Sequence, residues 1–464
     1  MAKMESPRWT LREMAWPEFG MATAAPVSTL EEYRQRLART RKRMAARGLT
    51  HLVVYGDREH FANLAWLTRF DPRFEEALLI VGAEGTPLLL TGNECQGYLP
   101  ISPLWKAGDL RTERYQPFSL LDQPRDSSRT LEEILHAEGI SGGARVGCSG
   151  WKYYGDRRRM DTPAYIVDAL RELASEVEDA TDLFVHAGDG LRARCSASEI
   201  AFFEYSNGKA SEGMKRIHFA ARRGMTDHEL LEHARYDGLP LACAMTLKTG
   251  PNRISLASPS GNRLERGHFW SANIAYWGSN ICRAAWVAEG EEDLPAAARD
   301  YVEAFAGPYF AAMCEWLGAL RIGSRGGDLY RLIQERLPFE RFRVYLNPGH
   351  LIHLDEWVSS PFFEGSEIAV ASGMVIQTDV IPSSPVYSST RMEDGVAIAD
   401  RDLREELRRD FPECAARCEA RRTFLAESLG IELPEEVLPL SNIACLVAPY
   451  LLRPELVFAI DSRL

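Results

Sequence analysis

Apolar and polar positions fall into two regimes that change over near residue 190. From Ser28 to about residue 185, short unbroken apolar runs recur: Leu52-Val53-Val54-Tyr55, Ala77-Leu78-Leu79-Ile80-Val81, Pro87-Leu88-Leu89-Leu90 and Arg145-Val146-Gly147. Runs of this length without alternation predict strands buried on both faces. Helically spaced segments lie between them. The first opens at Ser28-Thr29-Leu30-Glu31-Glu32, a cap followed by acids, places Tyr33, Leu37 and Met44 near one face, and ends at Gly48. Residues 28–185 therefore predict a compact α/β domain. The preceding arm, 1–27, has no clear period and is expected to pack on another surface, with a second subunit as one candidate.

Glycine and charge between Asp182 and Cys195 predict a linker, and 186–464 is expected to form the second domain. A long helix begins at Ser196-Ala197-Ser198-Glu199, which has capping-box spacing, and runs towards Arg223. Gly224-Met225-Thr226 introduces another. Residues 250–267 read as a loop. From Phe269 to Val287 the residues alternate as in a β-hairpin, with Ser271, Asn273 and Ala275 on one face. Helices follow at about 294–320 and 328–337. A charged extension from about 402 is helical to Leu429 and ends in Pro-rich apolar segments.

Composition narrows the function classes. The chain has 464 residues, 45% hydrophobic and 26% charged, which suits a globular enzyme of two or three domains. A net charge of -12 argues against a nucleic-acid binder, which needs a basic face to displace counterions. No run resembles a signal peptide or a membrane span, and the nine cysteines show no Cys-x-x-Cys pair, so a reducing, cytoplasmic setting is expected.

The densest chemistry lies between Asn347 and Asp394. His350, His353, Asp355 and Glu356 follow a Pro-Gly turn, Asp379 interrupts the apolar run Gly373–Pro382, and Glu393-Asp394 come after Arg391-Met392. A carboxylate inside a β-like apolar segment is costly to bury unless a cation, a proton or a donor meets it. His350 could bind a metal or move a proton at neutral pH. His353, Asp355 and Glu356 read equally as acid/base partners or as a polar cluster. Cys282 reads as a nucleophile or as a buried strand thiol. Arg73, in Phe70-Asp71-Pro72-Arg73, reads as a surface residue or as a fork for a substrate carboxylate.

The order of these phrases resembles the pita-bread superfamily of aminopeptidase P, prolidase, methionine aminopeptidase and creatinase. The resemblance is carried by the helix from Ser198-Glu199, the Gly224-Met225-Thr226 phrase, the hairpin, Pro348-Gly349-His350, Ser372-Gly373-Met374-Val375 and Arg391-Met392-Glu393-Asp394, and it covers about 28–400. It implies a creatinase-like N-terminal α/β domain followed by a pita-bread catalytic domain. Metal-dependent members hold two divalent ions. Carried over, their ligands fall on Asn273, Asn280, His350, Asp379 and Glu393, so both hairpin acids are amides here.

Neutral amides bridge two mutually repelling dications poorly. No dinuclear centre, and most simply no metal, is therefore expected. The alternative is one zinc, manganese or iron ion on His350, Asp379 and Glu393. Creatinase shares the Asn at the position of Asn273, but its loop histidine falls within Ser255-Leu256-Ala257-Ser258, its hairpin glutamate on Cys282, and a later family histidine on Trp357. The expectation is a C–N hydrolase of a small cationic or amino-acid-like molecule. His350, His353, Glu356, Asp379 and Glu393 would be catalytic, and Arg73, Asn273, Asn280, Cys282 and Trp357 would bind substrate. A mononuclear peptidase like aminopeptidase P or prolidase, a non-catalytic binding protein and an acid/base lyase are the alternatives. A homodimer is implied, with neither nucleic-acid nor membrane partners.

Overall fold

The structure, a computed structural model, describes residues 7–251 and 256–461. The chain divides into two compact units, Ser28–Arg192 and the combination of Met1–Val27 with Ala193–Leu464. The first unit is built on a six-stranded sheet. Its central strands, His51–Gly56 and Ala77–Gly82, pair antiparallel, and Arg145–Ser149 joins His51–Gly56 in parallel. Every residue of Leu52–Gly56 is buried, as expected for a strand covered on both faces. Helix Leu30–Ala46 starts at Thr29, whose hydroxyl accepts from Glu32 N. The stretch expected to be a linker is instead structured at its start: Asp182–Val185 is a short helix, and Asp182 Oδ1 lies 2.6 Å from Arg47 Nη1.

In the second unit the helix Ala197–Ala220 carries the reciprocal cap between Ser196 and Glu199 that the spacing predicts. It packs on the hairpin Phe269–Tyr276 and Ser279–Trp286. The hairpin turns at Gly278, where φ is +80° and a Cβ would lie 1.9 Å from the Phe203 ring, so only glycine fits. Strand Thr246–Gly250 flanks one side of the hairpin and Arg391–Glu393 the other. A second four-stranded sheet orders His350–Leu351, Val375–Gln377, Gly395–Ile398 and Val437–Pro439.

One expectation needs correction. The single helix read over 294–320 is short 3-10 turns, a π segment at Val302–Ala306 and the α-helix Gly307–Ala319, and Pro295 and Pro308 interrupt the ladder. The arm packs on another surface, that of its own unit. Its strand Trp9–Glu13 pairs antiparallel with Leu456–Ile460, and Trp16 Nε1 donates to Pro454 O at 2.8 Å.

Behind Trp16, His218 is fully buried with its ring centroid 5.1 Å from those of both Trp16 and Trp270. Its Nδ1 donates to Met214 O at 2.9 Å. Burial pushes this imidazole down to about 4, below the ordinary 6.5, so the ring is held neutral. A base with a lowered folded pKa contributes stability that is complete above 6.5 and is lost as pH falls towards 4. His218 alone should account for a loss on the order of 3 kcal/mol across that window, read as the difference in pH dependence between the wild type and His218→Gln by urea denaturation.

Candidate active site

Register across the hairpin sheet sets the site. Asn273 pairs with Cys282, and Cys282 pairs with Glu393, so the three side chains form one row across neighbouring strands. Thr246 extends the row on the far side of Asn273. Two residues along the same strand face lie Asn280, beside Cys282, and Arg391, beside Glu393. Arg283 and Asp394, one residue off, face the other way and close a fully buried pair at 2.8 Å, with Arg283 also donating to four backbone carbonyls.

The second sheet supplies the remaining groups. Gly349, at φ +97°, donates its N–H to Asp379 O at 2.9 Å, and a Cβ there would press on Gln377 O at 3.0 Å. This turn delivers His350, wholly buried, opposite Gln377 on the neighbouring strand. Trp357 stacks on the imidazole at 4.1 Å between centroids, and Nδ1 donates to Leu351 O at 3.2 Å, fixing the ring. His350 Nε2 then lies 3.2 Å from Glu356 Oε1.

The amides act as donors within the cluster. Asn280 Nδ2 donates to Glu393 Oε1 at 2.9 Å and approaches Glu356 Oε1 at 3.5 Å. Asn273 Nδ2 donates to Ala244 O at 3.2 Å and reaches Asn280 Oδ1 at 3.4 Å, while its own Oδ1 accepts from Thr246 N at 3.1 Å. Gln377 Nε2 donates to Asn280 O and reaches Glu393 Oε1 at 3.4 Å.

Burial pushes Glu393 well above the ordinary carboxylate range, with Asp379 repelling it further. Burial also raises Asp379, whose carboxyl hydrogen-bonds Glu393, so the pair shares a proton. Burial opposes charge on His350, but Glu356 and Asp379 outweigh it and the imidazole is raised above its usual value. Glu356 is correspondingly lowered, because His350 and Asn280 outweigh its burial. The Arg391 guanidinium, partly buried, is raised above its ordinary value because Asp379 and Glu393 outweigh its desolvation, and its Nη1 donates to Cys282 Sγ at 3.1 Å. His350 and Arg391 thus lie among three carboxyls, those of Glu356, Asp379 and Glu393. Burial raises Cys282 despite Arg391, which makes it a thiol rather than a ready thiolate.

The donor set decides how the fold's usual metals would fit. A dinuclear centre does not fit, because the hairpin side offers two neutral amides, with the Asn280 N–H already engaged by Glu393 and the Asn273 N–H by Ala244 O. One ion is chemically compatible: donor atoms of His350, Asp379 and Glu393 lie within 4.8 Å of one another. Asp379 Oδ1 and His350 Nε2 are buried and make no hydrogen bond of good geometry.

Of the residues expected at the site, His350, Glu356, Asp379, Glu393, Asn273, Asn280, Cys282 and Trp357 come together. His353 does not join them. Its Nε2 meets Glu199 Oε1 at 3.1 Å and its ring packs edge-on against Phe203. Residue 353 lies beyond strand His350–Leu351, where a three-residue step along extended chain turns the side chain away. Arg73 is engaged inside its own unit, donating to Tyr98 Oη at 2.6 Å with Asp71 at 3.5 Å. Ser255, in the loop compared with the creatinase histidine, lies outside the described residues. Sequence reasoning missed Arg391 and Gln377 as site residues, although each lies two residues before a site carboxylate and so shares its side of the chain.

Comparison with solved structures agrees with this architecture. Dipeptidase PepE from Mycobacterium ulcerans matches with a TM-score of 0.60 and 18% identity over 80% of this chain and 94% of that one. Xaa-Pro dipeptidase from Bacillus anthracis matches with 0.61 and 14% over 80% and 96%. The N-terminal domain of FACT complex subunit SPT16 from Cicer arietinum (chickpea) matches with 0.59 and 14% over 80% and 95%. No protein-family model matches the chain, and no curated protein matches it. Identities this low speak to architecture alone, and on that ground the chain has the pita-bread fold, in a divergent form whose hairpin carries Asn273 and Asn280.

Proposed function

We propose that this chain is a hydrolase of a C–N bond in a small cationic or amino-acid-like molecule, working without the two-metal centre of its fold relatives. The observation that carries the reading is the Asn280 N–H donated to Glu393 at 2.9 Å, which occupies the hairpin side of the pocket with a donor. An ammonium or guanidinium group entering beside Asp379 and Glu393 would displace their shared proton and take its place. Water would then add to the electrophilic carbon, giving a proton to a carboxylate of the pair. His350, kept protonated by Glu356, would protonate the departing nitrogen as the C–N bond breaks. Trp357 and the Leu351 carbonyl would hold the imidazole in line. No helix among the described residues is long and apolar enough to cross a membrane, so a small soluble substrate is the fitting partner.

The test is turnover of X-Pro dipeptides and small guanidino compounds with and without a chelator. Activity should survive chelation, and His350→Gln should lower it by about a hundred-fold or more. Loss of activity on chelation, regained with manganese or zinc and abolished in Asp379→Asn, would overturn the reading. That outcome would favour a mononuclear peptidase, for which the unbonded Asp379 Oδ1 and His350 Nε2 speak. There, His350, Asp379 and Glu393 would hold the ion, which supplies Lewis acidity. Ligand-induced thermal stabilisation with no turnover would mark a binding protein.

A further inference from the structure

The N-terminal end of the long helix holds a second convergence of ligand-type side chains that the proposed chemistry does not use. Cys195, Glu199 and His353 are all buried, and one donor atom from each lies within 4.8 Å of the other two. We propose that these three residues form a binding site for a single zinc-class dication, joining the start of helix Ala197–Ala220 to the loop after strand His350–Leu351.

Residue chemistry selects the ion. A thiolate, an imidazole and a carboxylate are a borderline-soft set, matched to zinc or cobalt and poorly to magnesium or calcium, which take oxygen. The spacing supports the same assignment. Cys195 precedes the cap residue Ser196, and Glu199 is four residues on, so both side chains reach the same side of the first turn. The two carboxylate oxygens of Glu199 have different tasks: Oε2 accepts from Ser196 N at 2.9 Å, which leaves Oε1 turned to His353 Nε2 at 3.1 Å.

The other two donors are also held. Cys195 N donates to Gly373 O at 2.7 Å, and the His353 ring stands edge-on to Phe203 at 5.0 Å and 85°. Such outer contacts orient ligands in established metal sites. Cys195 belongs to an apolar core with Ala197, Ile200, Phe203 and Ile352. In that surrounding a dication offsets the cost of burying a carboxylate and a thiolate. Tetrahedral zinc places its donors roughly 3.3–3.7 Å apart, so small side-chain rotations close the cluster. On binding, the Cys195 thiol gives its proton to solvent, Nε2 of His353 coordinates as its proton moves to Nδ1, and water completes the shell.

Cobalt(II), added to the full chain stripped of metal, is the probe. One equivalent should produce an intense thiolate-to-cobalt absorption band in the near ultraviolet, and zinc should displace it. Cys195→Ser should remove the band, and both Cys195→Ser and His353→Gln should weaken zinc binding by about a hundred-fold or more, beyond what an outer-shell change costs. Cys282→Ser, which removes the thiol at the other cluster, should keep both. X-ray absorption at the zinc edge of the wild-type chain, which needs no variant to fold, should show one sulfur at about 2.3 Å. A cobalt complex without the band, a band that survives Cys195→Ser, or a sulfur-free zinc shell would overturn the assignment. None of these readouts depends on turnover or on Asp379, so failure here is separable from failure of the hydrolase reading.

Discussion

Replacing Arg391 by methionine is expected to lower the unfolding free energy by about 1–3 kcal/mol, through a lost charged donor and a cation removed from beside two buried carboxyls. The guanidinium is partly buried, its charge acts on Asp379 and Glu393 without a direct ion pair, and it donates to the Cys282 thiol. Without it, a carboxyl pair that shares one proton keeps a negative charge in a pocket that solvent barely reaches. The deficit should shrink as pH falls, because both carboxyls already titrate above their ordinary range and a second proton relieves them. Arg391→Met combined with Glu393→Gln should recover much of the loss, and urea denaturation of the four species gives the coupling directly. A single-variant loss below about 1 kcal/mol, within the range of an exposed ion pair, would show that Arg391 does not perform this role.

Restoring the hairpin acids should have the opposite character. Asn273→Asp with Asn280→Asp adds two carboxylates beside Glu356, Asp379 and Glu393, and the metal-free protein should lose several kcal/mol through buried like charge. Manganese(II) should recover that loss, because the set then matches the dinuclear ligands of metal-dependent pita-bread proteins. Elemental analysis should show about two more ions per chain in the double variant than in the wild type, as a dinuclear site requires. Melting temperatures read with and without manganese decide the matter. Equal destabilisation in both conditions would mean that the amides are not placed where the metals would sit.

Much of this pocket was legible in the residues because its geometry follows from alternation. A hairpin with Asn273 on one face, a Pro-Gly turn before His350 and a strand ending in Glu393 are local patterns, Asn280 came from the resemblance, and strand pairing had only to bring them together. What the chain order could not supply is which neighbours fill the gaps. Arg391 is invisible as a counter-charge until Glu393 is paired with Cys282. His353 looked like a partner of His350 because only three residues separate them, yet the bend after a two-residue strand sends it to Glu199, far away in sequence. Glu199 itself was readable only as a helix cap, since one oxygen satisfies the cap and nothing local reveals the other. The broken helix over 294–320 was misread for a different reason. Its apolar content is helical in period, but Pro295 and Pro308 divide it into turns that periodicity does not resolve.

The pairing of Trp9–Glu13 with Leu456–Ile460 bears on how the molecule is made. Two segments separated by nearly the whole polypeptide are zipped together, so the larger unit cannot finish its architecture while the ribosome still holds the last strand. The intervening Ser28–Arg192 unit has its own sheet and core, and it is free to fold first as it emerges. Until Leu456–Ile460 emerges, the opening strand is an uncovered edge beside Trp9 and Trp16, and guarding it from neighbouring nascent chains is a requirement that synthesis places on the cell.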